Sequence, residues 1–169
     1  MQTKYDRIIA IDPDVDKSGV AELEVATRRL IISTLAFPAL MDYLQYMKNL
    51  TQERKETLCV VVEAGWMNAA NWHTSAVKSI SVAAKTGQNT GRNHETARKI
   101  AEMSRHYGLA TEEVKPLRKH WKGSGGKITH EELEYITGSL DRRSNQEGRD
   151  AALLAWWYAG LPIRVKAHD

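Results

Sequence analysis

Apolar residues run through this chain with two periods, and the change from one to the other marks its elements. DRIIAID (6–12), GVAELEV (19–25) and RRLIISTLA (28–36) are strand-length runs divided by turn residues, so three strands in a meander are predicted, the last two joined by a tight Ala26–Thr27 hairpin. Pro38 then opens a helical pattern, with Leu40, Leu44, Met47 and Leu50 at spacings of four, three and three. TLCVVVEAG (57–65) is continuously apolar until Glu63, which suits a central strand covered on both faces. RNHETARKIAEMSRHYG (92–108) returns to helical spacing and stops at Gly108, and TEEVKP (111–116) is a short strand ended by Pro116. KPLRKHWKGSGGK (115–127) reads as a mobile loop, and THEELEYITG (129–138) as a short helix with Thr129 and Glu132 as its capping box. NQEGRDAALLAWWYAG (145–160) is a helix capped by Asn145 and stopped by Gly160 and Pro162. The order predicts an α/β fold, a mixed sheet flanked by helices. No repeat, low-complexity tract or linker divides residues 1–169, so a single domain is expected.

Composition narrows this frame. With 42% apolar and 27% charged residues the chain is ordinary for a globular protein, and no run is long enough to span a bilayer. The opening MQTKYDR lacks the pattern of a secretory signal, so a cytoplasmic location is expected. One cysteine, Cys59, excludes an intramolecular disulfide and any multi-cysteine zinc site, and its apolar strand makes it a core residue. A formal net charge of +3 with a pI near 9.0 favours an anionic partner.

The acids carry the chemistry. Asp12 ends the first strand and Glu63 the fourth, while Glu147 and Asp150, three apart, share a helix face that continues through Ala151, Leu154 and Trp157, the stripe expected to pack on the sheet. Converging carboxylates repel: a pair about 4 Å apart opposes itself by about 4 kcal/mol at an effective dielectric of about 20. The local sequence offers too few fixed cations to cancel four of them, whereas magnesium or manganese takes hard oxygen ligands and, in pairs, activates water against phosphate. Each acid also has a plainer account. Glu147 and Asp150 suit the positive end of a helix dipole, Glu63 suits a solvated strand end, and Asp14 and Asp16 read as turn residues.

Other motifs fit less well. DPDVD resembles the nucleophile loop of haloacid-dehalogenase-like phosphatases, but Asp16 and a following hairpin depart from it. As a calcium loop the segment has Lys17 for the turn glycine and Leu23 for the bidentate glutamate. GSGGKIT lacks a preceding strand and the first P-loop glycine, and none of the six histidines has metalloprotease spacing.

Taken in order, IAIDP, VVVEA, GQNTGRNHETARKI, VKPLRKHWK and EGRDAALLA make the chain resemble the RuvC-type Holliday junction resolvases of the ribonuclease-H-like superfamily over nearly its full length. The resemblance implies a five-stranded mixed sheet, an antiparallel three-strand meander plus parallel strands. It also implies that Asp12, Glu63, Glu147 and Asp150 hold two magnesium (or manganese) ions and cut phosphodiester bonds, in a homodimer that nicks a four-way junction symmetrically. Asp14, where the family often has glycine, and Glu147, where relatives commonly have aspartate or histidine, are departures.

Two basic segments are candidates for the DNA backbone. Lys115, Arg118, Lys119, Lys122 and Lys127 occur without an acid between residues 115 and 127. Arg92, Arg98 and Lys99 lie in the 92–108 helix. Phosphate contact is the functional account of both, a solvated charged face the plain one. Gly123, Gly125 and Gly126 would let the first close on a backbone. Trp66 or Trp72 has the chemistry to stack on an unpaired base, and Trp156 and Trp157 read as core or dimer residues. The expectation is a metal-dependent junction endonuclease; a nuclease for other branched DNA, a non-cleaving DNA-structure binder and a phosphatase are the alternatives in that order.

Overall fold

A computed structural model describes residues 3–68 and 80–166. The elements are β1 (Arg7–Asp12), β2 (Ser18–Glu24), β3 (Arg29–Leu35), α1 (Phe37–Arg54), β4 (Leu58–Glu63), α2 (Ile80–His106), β5 (Ala110–Val114), α3 (His130–Thr137) and α4 (Gln146–Tyr158). The strands form one sheet in the order β3-β2-β1-β4-β5. β1, β2 and β3 pair antiparallel, while β4 and β5 join β1 in parallel. That is the five-stranded mixed sheet expected, an antiparallel three-strand meander plus parallel strands, and it has helices on both faces.

Strand alternation builds the two faces. Ile8, Ala10, Cys59 and Val61 pack with α4, Leu133 and Ile136 of α3, and Trp121. Ile9, Ile11, Val60 and Val62 pack with Leu40 and Leu44 of α1 and Ile100 of α2 on the other side. Being covered twice explains the unbroken apolar run of β4.

Four expectations need correction. The β2–β3 link is a four-residue turn, Val25–Arg28, closed by Arg28 at φ 60°, not a two-residue hairpin. α2 begins at Ile80, twelve residues before the predicted start. Most side chains between Ser81 and Gly91 face solvent, so no apolar stripe marks those turns. Trp157 does not pack on the sheet: it is 45% exposed, while Trp156 is buried and its indole N–H donates to the Pro162 carbonyl at 2.9 Å. Ala151 and Leu154 of the predicted stripe are buried as expected, together with Gly148, Ala152, Leu153 and Ala155.

The fourth correction concerns residues 115–127, which do not form an unstructured loop. Trp121 is buried in the α4-side core, and the chain folds back on itself with Trp121 N–H to Gly126 O at 2.9 Å and Gly123 N–H to Lys127 O at 2.9 Å. Gly125 and Gly126 take φ of 65° and 75°, and a Cβ on Gly123 would lie 2.4 Å from the Lys127 carbonyl oxygen. These glycines serve a compact turn. The capping box of Thr129 and Glu132 and the Asn145 cap, whose Oδ1 accepts from Gly148 N–H at 3.0 Å, are as expected.

Candidate active site

Strand parity brings the first two acids together. Asp12 follows Ile8 and Ala10, and Glu63 follows Cys59 and Val61, so both point to the α4 side of the sheet. They end neighbouring parallel strands one position beyond the Ile11–Val62 pair, at a strand spacing of about 4.8 Å. α4 crosses that face with Asp150 in its second turn. Asp12, Glu63 and Asp150 line one cleft of about 90 Å³, closed by Arg118, Lys119 and Lys127. Glu147 does not line the cleft, but its charge reaches Asp12.

Two glycines allow α4 to approach so closely. Gly19 sits opposite Asp12 in the β1–β2 ladder, and a Cβ there would lie 2.0 Å from the Glu147 carbonyl oxygen. A Cβ on Gly148 would lie 2.5 Å from Ile32 Cγ2. A layer of polar side chains then fixes Asp150. Gln146 Nε2 donates to Asp150 Oδ1 at 2.9 Å and to the Ile128 carbonyl at 3.2 Å. Arg149 donates to the Ile128 carbonyl at 3.0 Å, the Ser144 carbonyl at 2.6 Å and Gln146 Oε1 at 3.0 Å. The Gln146–Asp150 pair was open to sequence reading as an i,i+4 helix contact and was missed, whereas the anchoring of Gln146 and Arg149 on the Ile128 carbonyl and the approach at Gly19 and Gly148 depend on partners distant in sequence.

The site is electrostatically strained. Burial, then Glu63, Asp150 and Glu147, push the Asp12 carboxyl well above the usual carboxylate range, against the pull of Lys127. Glu63 is raised by burial and Asp150, with Lys119 and Lys127 opposing. Asp150 is raised by burial, with the Gln146 hydrogen bond and Lys127, Lys119 and Arg149 opposing. Lys127 Nζ lies 3.9 Å from Asp150 Oδ2. The local sequence offers too few cations to cancel the acids, and folding adds lysines from the 115–127 segment. Their charge does not cancel the effect of burial. The donor set, carboxylate oxygens alone, is that of a hard divalent cation. Among the described residues no three metal-ligating side chains are already drawn together around one point.

The other sequence candidates separate. Lys115 is exposed beside Pro116 of the cleft wall, whereas Lys122 faces a different cavity with Thr129 and Tyr135. Arg92, Arg98 and Lys99 are exposed on α2, the helix packed on the opposite face of the sheet. Arg98 stacks over Trp66 at 4.7 Å and Lys99 pairs with Glu102 at 3.0 Å. Trp66 also meets His94 edge-on at 5.9 Å, so its ring is engaged within the fold. Trp72 lies outside the described residues. Asp14 is a turn residue: its Oδ1 accepts from Asp16 N–H at 2.9 Å, and its own N–H donates to Ser18 Oγ at 3.1 Å. Asn93 Oδ1 accepts from Val15 N–H at 3.1 Å, tying α2 to that turn.

No protein-family model matches the chain, and no curated protein matches it. Among solved structures it is similar to T. thermophilus RuvC in complex with a Holliday junction substrate, at 12% identity and a TM-score of 0.48, covering 88% of this chain and 89% of that one. Among the described residues no helix is long and apolar enough to cross a membrane.

Proposed function

We propose that this chain is a divalent-metal-dependent endonuclease acting in the cytoplasm on branched DNA, with the four-way junction as its substrate. The observation that carries the proposal is the meeting of Asp12, Glu63 and Asp150 in one partly buried cleft that Arg118, Lys119 and Lys127 share with apolar residues such as Leu117, Ile128 and Leu153. Buried carboxylates whose attending lysines do not offset their burial suit a cation, and the same basic side chains suit a phosphate. The ordered motifs of the sequence supply the substrate class.

In this account Asp12, Glu63 and Asp150, with Glu147 at the margin, hold two magnesium or manganese ions. Such ions supply an activated water and stabilise the leaving oxygen at phosphorus. The chain's own residues do the rest. Gln146 and Arg149 orient Asp150, and the close packing at Gly19 and Gly148 sets the height of α4 over the strand ends. Lys119 and Lys127 attend the acids and are placed to draw a phosphate to them. Lys115 and Arg118, at and beside the cleft rim, contact the flanking backbone, and Arg92, Arg98 and Lys99 are assigned to a more distant part of the substrate. A homodimer presents two such clefts, as paired symmetric nicks require.

The test is to incubate the protein with a labelled four-way junction, a flap and a duplex, with and without magnesium. Paired nicks confined to the junction and dependent on magnesium are expected. Cutting of the flap alone would move the substrate to other branched DNA, and binding without any cutting would make the chain a structure-specific binder.

A further inference from the structure

A second basic surface lies around the α4 N-terminus from the acidic cleft. The edge strand β3 and the α3–α4 connection enclose a groove of about 500 Å³, whose apolar floor of Leu30, Ile31, Ile32 and Leu140 is flanked by Arg29, Arg142 and Arg143, with Asp141 as the one acid among its described lining residues. All three arginines are exposed, and none forms an ion pair with a described residue. Ser33, Thr34 and Asn145 add polar groups to the lining. Among the described residues β3 pairs only with β2, which leaves its outer backbone edge unpaired within the sheet they form.

The groove is close to the acids by two independent routes. Across the sheet, Thr34 pairs with Gly19 and Gly19 with Asp12, two strand spacings or about 10 Å. Along α4, Asn145 precedes Asp150 by five residues, about 7.5 Å of helix rise. A nucleic-acid strand advances by about 3.4 Å per residue. The first turn of α4 lies over Gly19 on that line, so a backbone held at the acids passes around the α4 N-terminus and reaches the groove within a few nucleotides.

We infer that this groove is a second DNA-backbone site, taking phosphates a few nucleotides from the one at the acids. The inference rests on the nuclease reading above and extends it to residues on the opposite side of α4 from the 115–127 segment. Charge selects the occupant. Exposed guanidiniums, hydroxyls and free strand N–H groups are phosphate ligands, and they carry no base information. A docking peptide strand would use the same edge without needing three unpaired arginines.

The test is a salt titration of binding to a four-way junction and to a duplex, in the absence of divalent ion so that no strand is cut. Wild type is compared with a triple variant, Arg29→Ala, Arg142→Ala and Arg143→Ala, and with its lysine counterpart. At about −0.9 per neutralised phosphate, the alanine variant should have a slope of log affinity against log salt shallower by about 2.7 units. The lysine variant should keep most of the wild-type slope, and both should melt as wild type does. Wild type that binds DNA, with an alanine variant of equal slope, overturns the inference and leaves the nuclease reading standing. Wild type that binds neither ligand at low salt overturns both. Loss of self-association in the alanine variant with an unchanged DNA slope would make the groove a protein-docking edge and overturn the inference as well.

Discussion

Replacing Gly19 with alanine adds one methyl group at the point where β2 touches the first turn of α4. That methyl carbon would lie 2.0 Å from the Glu147 carbonyl oxygen and 2.3 Å from its carbon, where ordinary contact begins at 3.4 Å. The obstacle is backbone on both sides, so no rotamer change relieves it. Gly19 is a strand residue without positive φ, and alanine costs nothing in its own conformation. The relief has to be a displacement of α4 from the sheet by about 1.4 Å at that turn. Overpacking of this kind costs about 1–3 kcal/mol. At about 2–4 °C per kcal/mol for a chain of this size, the melting temperature should fall by about 2–12 °C. The functional loss should be larger in proportion, because Asp150 moves with the helix while Asp12 and Glu63 stay with the strands. A displacement of about 1 Å in a catalytic constellation costs about 100-fold in rate. The assay is single-turnover cleavage of a labelled junction at saturating protein and magnesium, at a temperature where melting shows the variant folded. A variant that folds and cuts within about threefold of wild type would refute the claim that this contact positions the acids.

Other perturbations read other parts of the account. Gly91 lies inside α2 with nothing within 4 Å of an added methyl, so Gly91→Ala should stabilise by about 0.5–1 kcal/mol in a urea titration; a destabilised variant would argue against helix there. Arg7 is buried among Glu22 at 2.8 Å, Glu24 at 2.9 Å and Glu56. Arg7→Ala strands those acids and should cost near the lower end of about 3–5 kcal/mol, since Glu24 and Glu56 keep some water; a urea midpoint close to wild type would sink that view. Because Asp12, Glu63 and Asp150 hold their protons more tightly folded than unfolded, their contribution is fully present below the ordinary carboxylate range and is lost as pH rises through the raised values. In chelator, the melting temperature of Asp12→Asn relative to wild type should therefore climb as pH rises above the ordinary carboxylate range, and parallel curves would contradict the strain assigned to the cleft.

Much of this was legible because it depends on local pattern. The strand runs, the Pro38 start, the Asn145 cap and the capping box at Thr129 all answer to neighbours within a few residues. Asp12 and Glu63 were also legible, because a polar residue ending an apolar strand is placed by parity alone. What escaped was set at a distance. The early turns of α2 bury too little to impose a period, and Trp157 turns to solvent while Leu153, Leu154 and Trp156 beside it fill the buried side of α4. The approach of Lys119 and Lys127 to the acids depends on Trp121 anchoring their loop, and no local pattern records that. Gly19 reads as the opening residue of a strand in the sequence, and only the backbone of α4 lying against it gives it a second role.

The central claim is that the clustered carboxylates support phosphodiester cleavage. It is tested most directly by single-turnover junction cutting with wild type and Asp12→Asn at saturating protein, with magnesium supplied or chelated. The account predicts paired nicks by wild type in magnesium, none in chelator, and none by Asp12→Asn, which should still bind the junction at least as tightly because a negative charge near phosphate is gone. Cutting by Asp12→Asn at the wild-type rate would contradict it.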